Sequence, residues 1–224
     1  MNIETIEVGI LATNCYLVSA SEKSPLVVID PGADLEKIMA AIDGREVAAI
    51  IVTHRHFDHI MALPGLIEAT GAPLLAGEHD VEALCDPAKN MSETWAHPAS
   101  VDHVDVTLYD GDRIRIKDTG AVEVVRACDC DIQRDTPELI FSVINTPGHT
   151  IGSISLLTDG ACFTGDTLFA EGSVGRHDLP TGSLPALKHS VKSRLYVLPD
   201  ETRIYPGHGP ASTIGAERKL SPFS

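Results

Sequence analysis

Short apolar and β-branched runs alternate with polar turn residues through the first third of the chain. Ile3–Glu7, Cys15–Ser19 and Leu26–Ile29 read as strands on this pattern. From Asp34 to Asp43 the period changes, because Leu35, Ile38, Met39 and Ile42 recur at helical spacing. Asp34 is placed to cap this amphipathic helix and Gly44 to stop it. Val47–Val52 is an unbroken apolar run, the pattern of a strand buried on both faces. It delivers Thr53–His59 into a loop, and a second helix starts near Pro64, where proline suits the first turn. Pro73–Ala76 and a short helix around Glu82 follow.

Asp86–His103 has no clear period and carries the only tryptophan, Trp95, so it reads as a long loop, either a binding loop or a packed surface excursion. Beyond it the strand pattern returns in Val104–Leu108, Arg113–Ile116, Val122–Val125, Leu139–Ile144, Ile154–Leu157, Ala161–Thr164 and Thr202–Tyr205. Two sheets packed as a sandwich accommodate these strands. A helix over Leu184–Leu195, with Leu184, Leu187, Val191 and Leu195 on one side, covers an outer face. No repeat, low-complexity tract or linker interrupts the pattern, which predicts one α/β domain over residues 1–224.

Composition narrows the partners. The 32 acidic residues against 17 Lys and Arg give a formal charge of −15, which repels phosphate backbones and anionic headgroups, so nucleic-acid and membrane binding are not expected. The first ten residues carry Glu4 and Glu7 with no basic residue before an apolar stretch, unlike a secretory signal. Five cysteines without a disulfide-like framework fit a reducing compartment, and together these features predict a cytoplasmic protein. The closest cysteine pair, Cys128 and Cys130, reads as two ordinary thiols in a loop or hairpin.

The chemistry is concentrated in T-H-R-H-F-D-H, residues 53–59, where His54, His56, Asp58 and His59 fall within six consecutive positions at the end of a buried strand. Imidazole nitrogens with a carboxylate oxygen suit zinc, iron and related cations. The spacing lets His54 and His56 face one ion while Asp58 and His59 face another. Two four-coordinate sites need further donors. These lie in T-P-G-H-T (His149), F-T-G-D-T (Asp166) and Y-P-G-H-G-P (His208), each after a strand and beside glycine, which allows the tight turn that aims a side chain inward.

These four motifs, with N-C-Y-L-V at 14–18 and I-D-P-G-A at 29–33, resemble the metallo-β-lactamase superfamily over nearly the whole chain. The resemblance implies a four-layer αββα sandwich. It also implies one metal on His54, His56 and His149, a second on Asp58, His59 and His208, and Asp166 bridging them. A true β-lactamase of the best-known zinc class would carry cysteine at Asp166, and the diiron flavoprotein branch glutamate at His56. The superfamily's nucleases append a further large domain, which the short stretch after Pro210 does not accommodate. The segment D-T-L-F-A-E-G-S-V-G-R-H-D at 166–178 is similar to short glyoxalase II-like proteins, in which a G-R-x-D element follows the bridging aspartate. Arg176 is the candidate substrate contact there, with an ion pair to Asp178 as its other role, and His177 reads as a solvent-side or supporting histidine. Two departures bear on the substrate. The C-terminal helical region that supplies glutathione contacts in full-length glyoxalase II has no room after Pro210, and Lys117–Glu138 is longer than the usual hairpin before T-P-G-H-T, so its C-D-C-D can reshape one wall of the cleft.

The implied activity is hydrolysis of a small-molecule S-acyl thioester, S-lactoylglutathione-like, by a hydroxide held between two divalent ions. Asp58 and Asp166 are the catalytic carboxylates. Zinc is the first candidate metal, with iron and manganese compatible with the same donors. Two alternatives stay open at this stage. One is a persulfide dioxygenase-like enzyme using one iron on His54, His149 and Asp166. The other is a metal-binding protein without enzymatic activity.

Overall fold

The computed structural model describes residues 1–95, 97–127, 138–221 and 223. Asn2–Val8 (β1), Thr13–Ser19 (β2), Leu26–Ile29 (β3), Val47–Val52 (β4), Leu74–Gly77 (β5) and Val106–Leu108 (β6) form one sheet in sequential order. β1, β2 and β3 pair antiparallel, and β3 through β6 run parallel. The second sheet contains Arg113–Ile116 (β7), Val122–Val125 (β8), Leu139–Asn145 (β9), Ile154–Thr158 (β10), Ala161–Gly165 (β11), Arg203–Pro206 (β12) and Ser212–Thr213 (β13). Its order is β13-β12-β11-β10-β9-β7-β8, with β11 and β12 as its parallel pair.

Three apolar clusters make the layers. Tyr16, Val27, Ile29, Ile51 and Leu75 of the first sheet interleave with Ile114, Phe141, Leu156 and Phe163 of the second, the core between two facing sheets. The outer face of the first sheet is covered by Leu35–Ile42 (α1), Leu63–Thr70 (α2) and Val81–Leu84 (α3), which bury Ile38, Ile42, Leu63, Leu66 and Leu84. The outer face of the second sheet is covered by Leu184–His189 (α4), its π-helical continuation Ser190–Leu195 and Ile214–Leu220 (α5). The result is the αββα sandwich expected from the sequence. Among the described residues, no helix is long and apolar enough to cross a membrane.

Some local expectations change. Asp34 precedes α1 but makes no side-chain cap; at φ 51° its carboxylate turns away and accepts from Gly9 N at 2.9 Å. Leu184, assigned to the covering face, is 43% exposed at the first position of α4, while Leu187, Val191 and Leu195 are buried. The π-helical turns keep these three, four residues apart, on the sheet side. Helix α5 carried too short an apolar pattern to be read beforehand, although Thr213 caps it, its Oγ1 accepting from Ala216 N at 3.2 Å. Cys15 and Cys162 are buried free thiols and Cys85 is an exposed one, while Cys128 and Cys130 lie outside the described residues. Residues 128–137 of the Lys117–Glu138 segment also lie outside them.

Candidate metal centre

All seven predicted donors meet at one edge of the sandwich. β4 ends at Val52 and delivers His54 and His56, and a single 3-10 turn, Phe57–His59, then places Asp58 and His59. His149 follows β9, Asp166 follows β11, and His208 follows β12. The two sheets are tied together here. Ile154 N donates to Thr53 O at 2.9 Å, and Asn14 N donates to Gly207 O at 2.7 Å. Glycine at 207 is required by close approach, since a Cβ there would lie 2.2 Å from Asp166 Oδ1 and 2.7 Å from His59 Cε1.

Donor atoms point at one another across short gaps. His149 Nε2 lies 2.7 Å from His56 Nδ1, 3.2 Å from His54 Nε2 and 3.4 Å from Asp166 Oδ2. Asp58 Oδ2 lies 3.2 Å from His208 Nε2 and 3.6 Å from His59 Nε2. Asp166 spans the two sides, with Oδ1 3.3 Å from His59 Nε2 and Oδ2 3.6 Å from His208 Nε2. Three donor sets emerge: His54 with His56 and His149; Asp58 with His59 and His208; and His54 with His59 and Asp166, the last joining the other two.

The outer nitrogens fix which lone pairs face inward. His59 Nδ1 donates to Asp30 Oδ2 at 2.9 Å, His149 Nδ1 to Arg176 O at 2.7 Å, and His208 Nδ1 to Leu11 O at 3.0 Å. Thr53 Oγ1 gives its proton to Asp30 Oδ2 at 2.7 Å, so it accepts from His54 Nδ1 at 3.1 Å. Four imidazoles therefore carry the proton on Nδ1 and turn Nε2 into the cluster. Asp30 and Thr53 were not assigned a role from the sequence, although I-D-P-G-A held the signal. Arg176 reaches the site through its backbone carbonyl; its exposed guanidinium makes a two-pronged pair with Asp178, each bond 3.0 Å. His177 is exposed.

Electrostatics separates the two sides. Burial, reinforced by neighbouring imidazoles, holds His54 well below the usual histidine range and His56 down to about 3. Burial also opposes charge on His59, but Asp166, Asp58 and Asp30 outweigh it and push its pKa well above the usual value. His208 is raised in the same way, burial being outweighed by its bond to Asp58 and by Asp166. Burial works against both carboxylates as well, yet His59 and its neighbours hold Asp58 and Asp166 below the normal carboxylate range.

Divalent cations fit this donor set. His56 Nε2, His59 Nε2 and Asp166 Oδ1 are buried without a hydrogen-bond partner, and the Nε2 lone pairs of His54 and His149, whose Nδ1 protons are both committed outward, face each other across 3.2 Å. Buried acceptors arranged this way are costly unless a cation joins them. Mixed nitrogen and carboxylate donors suit zinc, iron or manganese.

The sequence matches the family model described as "Metallo-beta-lactamase superfamily" over residues 8–126 and 131–208. It is 29% identical over its full length to a protein of Haemophilus influenzae named hydroxyacylglutathione hydrolase GloC, covering 98% of that protein. It is 31% identical to a probable metallo-hydrolase of Streptococcus pyogenes, with 93% of this chain and 83% of that protein aligned. Among solved structures, BLEG-1 B3 metallo-beta-lactamase superposes with a TM-score of 0.83 at 29% identity, with 99% of each chain covered. TTHA1623 in a di-iron-bound form superposes at 0.77 with 33% identity, covering 99% of this chain and all of that one. ETHE1 from Myxococcus xanthus superposes at 0.72 with 28% identity, covering 99% of this chain and 84% of the other.

Proposed function

Because the chain belongs to the metallo-β-lactamase superfamily, we propose that it is a dinuclear metal-dependent thioester hydrolase acting on S-acyl thiols, with S-lactoylglutathione as the reference substrate. The convergence of seven histidine and aspartate donors from four strand ends, several with unshared buried lone pairs, carries this reading. The relative named hydroxyacylglutathione hydrolase supports the thioester class. In this assignment His54, His56 and His149 would hold one divalent cation and Asp58, His59 and His208 the second, with Asp166 as the donor available to either. Zinc is the first candidate, and iron or manganese suits the same donors.

Bound there, a cation pair supplies Lewis acidity, lowering the pKa of water from about 15.7 towards about 7 and polarising a carbonyl. The chain's own groups then do three things. Asp166, held ionised by His59, offers a carboxylate oxygen as an acceptor that would orient the attacking water's O–H. Asp58 fixes the facing histidine edges of His59 and His208. Asp30, Leu11 O and Arg176 O lock the donor imidazoles in one tautomer, so little reorganisation is needed when charge develops. Water oxygen adds to the carbonyl carbon, the C–S bond breaks, and an acid and a thiol leave.

The decisive experiment pairs metal content per chain, by elemental analysis, with S-lactoylglutathione hydrolysis on the same sample. Two metals with turnover are expected, and His56→Ala and Asp166→Ala should lose activity and metal together. Full activity with a normal metal count in either variant would sink the assignment. The mononuclear iron dioxygenase reading rests on a smaller convergence, His54, His149 and Asp166 with gaps of 3.2 and 3.4 Å. Its signature is one iron per chain with thiol-dependent oxygen uptake and no anaerobic hydrolysis.

A further inference from the structure

Next to Asp58 the surface opens into a cavity of about 200 Å³, walled by the turn Gly9–Thr13, by Gly32–Asp34, and by Phe57, Met61 and Trp95. Its polar content is small. Phe57 and Trp95 face each other at 5.0 Å between ring centroids, forming one wall. Ile10 and Leu11 sit at the rim, 82% and 49% exposed. Such adjoining large apolar residues facing water at the mouth of an apolar cavity mark a place that a ligand covers.

The rim belongs to the centre. Leu11 O is the acceptor that holds His208 Nδ1 at 3.0 Å, and Thr13 Oγ1 reaches Asp58 Oδ2 at 3.5 Å. The turn is tight, with Ala12 at φ 54° and its N–H on Gly9 O, and it leans on the residues just before α1, where a Cβ at Gly9 would meet Ala33 Cβ at 3.0 Å. The cavity therefore opens beside the centre, within reach of a substituent on a molecule reacting there.

Charge decides what that substituent can be. Among the described lining residues the charged side chains are Asp34 and Asp58, both acidic, with no Lys, Arg or His. The two arginines close to the centre are committed elsewhere. Arg55 bonds Pro180 O and Thr181 Oγ1 and pairs with Asp80, and Arg176 pairs with Asp178. A carrier such as glutathione, with two carboxylates, meets no basic side chain among the described lining residues and lies beside the acidic Asp34. By size, a dry apolar cavity of roughly 150 Å³ accommodates benzene, so this one has room for a phenyl ring or an alkyl chain of about six carbons.

We propose that the cavity beside Asp58 is a specificity pocket for an uncharged apolar arm of the substrate, phenyl-sized or medium-chain, so that a glutathione thioester is turned over but less efficiently than a neutral one bearing such an arm. This rests on the thioesterase reading for the reaction, but the pocket itself can be probed without turnover.

Four thioesters separate the alternatives on the metal-loaded protein. They are S-acetyl-N-acetylcysteamine, S-phenylacetyl-N-acetylcysteamine, the acetyl thioester of phenylmethanethiol, and S-phenylacetylglutathione. One of the two neutral phenyl compounds should exceed the plain acetyl compound by roughly tenfold or more in kcat/KM, and which one does so names the acyl or the thiol side. The glutathione compound should fall below its neutral phenylacetyl counterpart. Ile10→Ser, a change at an exposed position, should reduce the ratio of phenyl to acetyl kcat/KM severalfold. Trp95, the only tryptophan in the chain, gives an independent readout. Its emission should respond saturably to S-benzyl-N-acetylcysteamine, a thioether that cannot be hydrolysed, and more weakly to S-benzylglutathione. Saturable emission change without hydrolysis of any thioester would uphold the pocket and defeat the thioesterase reading. Hydrolysis with no phenyl gain and no emission change would overturn the pocket and leave the thioesterase standing.

Discussion

His59 is gripped from behind by Asp30, which also accepts from Thr53 N and Thr53 Oγ1, each at 2.7 Å. One buried carboxylate thus ties the end of β3 to the first residue after β4 and fixes the inward lone pair of a donor. Asp30 does so at φ 53°, a left-handed conformation that asparagine tolerates as readily as aspartate. Asp30→Asn therefore removes charge without adding backbone strain. Its expected effect is a weakening of metal affinity by about 10–100-fold, as for loss of other partners that orient metal ligands, with the fold retained. Competition against a chromophoric chelator would measure it. Unchanged affinity at both sites would show that Asp30 braces the turn without tuning His59.

At the scale of elements, the centre depends on four loops being clamped to each other. Arg55 and Asp80 are both buried; Arg55 N donates to Asp80 Oδ2 at 3.1 Å, and Thr150 Oγ1 donates to the same oxygen at 2.7 Å. The Arg55 guanidinium reaches on to Pro180 O, so the loop bearing His54 and His56, the turn after β5, the turn bearing His149 and the segment before α4 share one polar knot. Burial raises the Asp80 pKa despite these bonds. Arg55→Ala should cost about 3 kcal/mol in denaturant unfolding, because it leaves that carboxylate with less compensation. Adding Asp80→Asn should recover part of the loss, and strictly additive effects would argue against the coupling. This knot was not legible in the sequence, since it joins residues far apart in the chain that carry no shared motif. The strands were legible because burial imposes a period of two or an unbroken apolar run, and the histidine-rich loop was legible because folded surfaces seldom need that density of imidazole. Helix α5 and the π-helical turns were not, for the first is seven residues long and the second departs from the period used to recognise helices. The contact of Trp95 with Phe57 was equally hidden, because a loop's landing place is set by tertiary packing.

For the whole molecule, the metal centre couples global stability to pH in a way that the cations should erase. In the metal-free chain the unfolded state titrates its histidines near 6.5. His59 and His208 are raised in the folded state, so their contribution is fully present below that value and is lost as pH rises through their folded pKa values. His54 and His56 are lowered, so below about 6.5 the unfolded state binds protons that the folded state refuses, and stability falls towards acid. Asp58 and Asp166, held below the carboxylate range, add a further loss as pH drops through their folded values. The four imidazoles together give a stability maximum near pH 6.5, with decline on either side. Cations displace the protons from His59 and His208 and remove the alkaline arm. Thermal unfolding of chelator-treated protein across pH 5–9 should therefore be bell-shaped. Reloaded protein should melt higher, with little fall from pH 7 to pH 9. A metal-free profile that keeps rising to pH 9 would mean that the carboxylates do not hold a proton on His59, and the division into a neutral and a carboxylate-rich side would have to be abandoned.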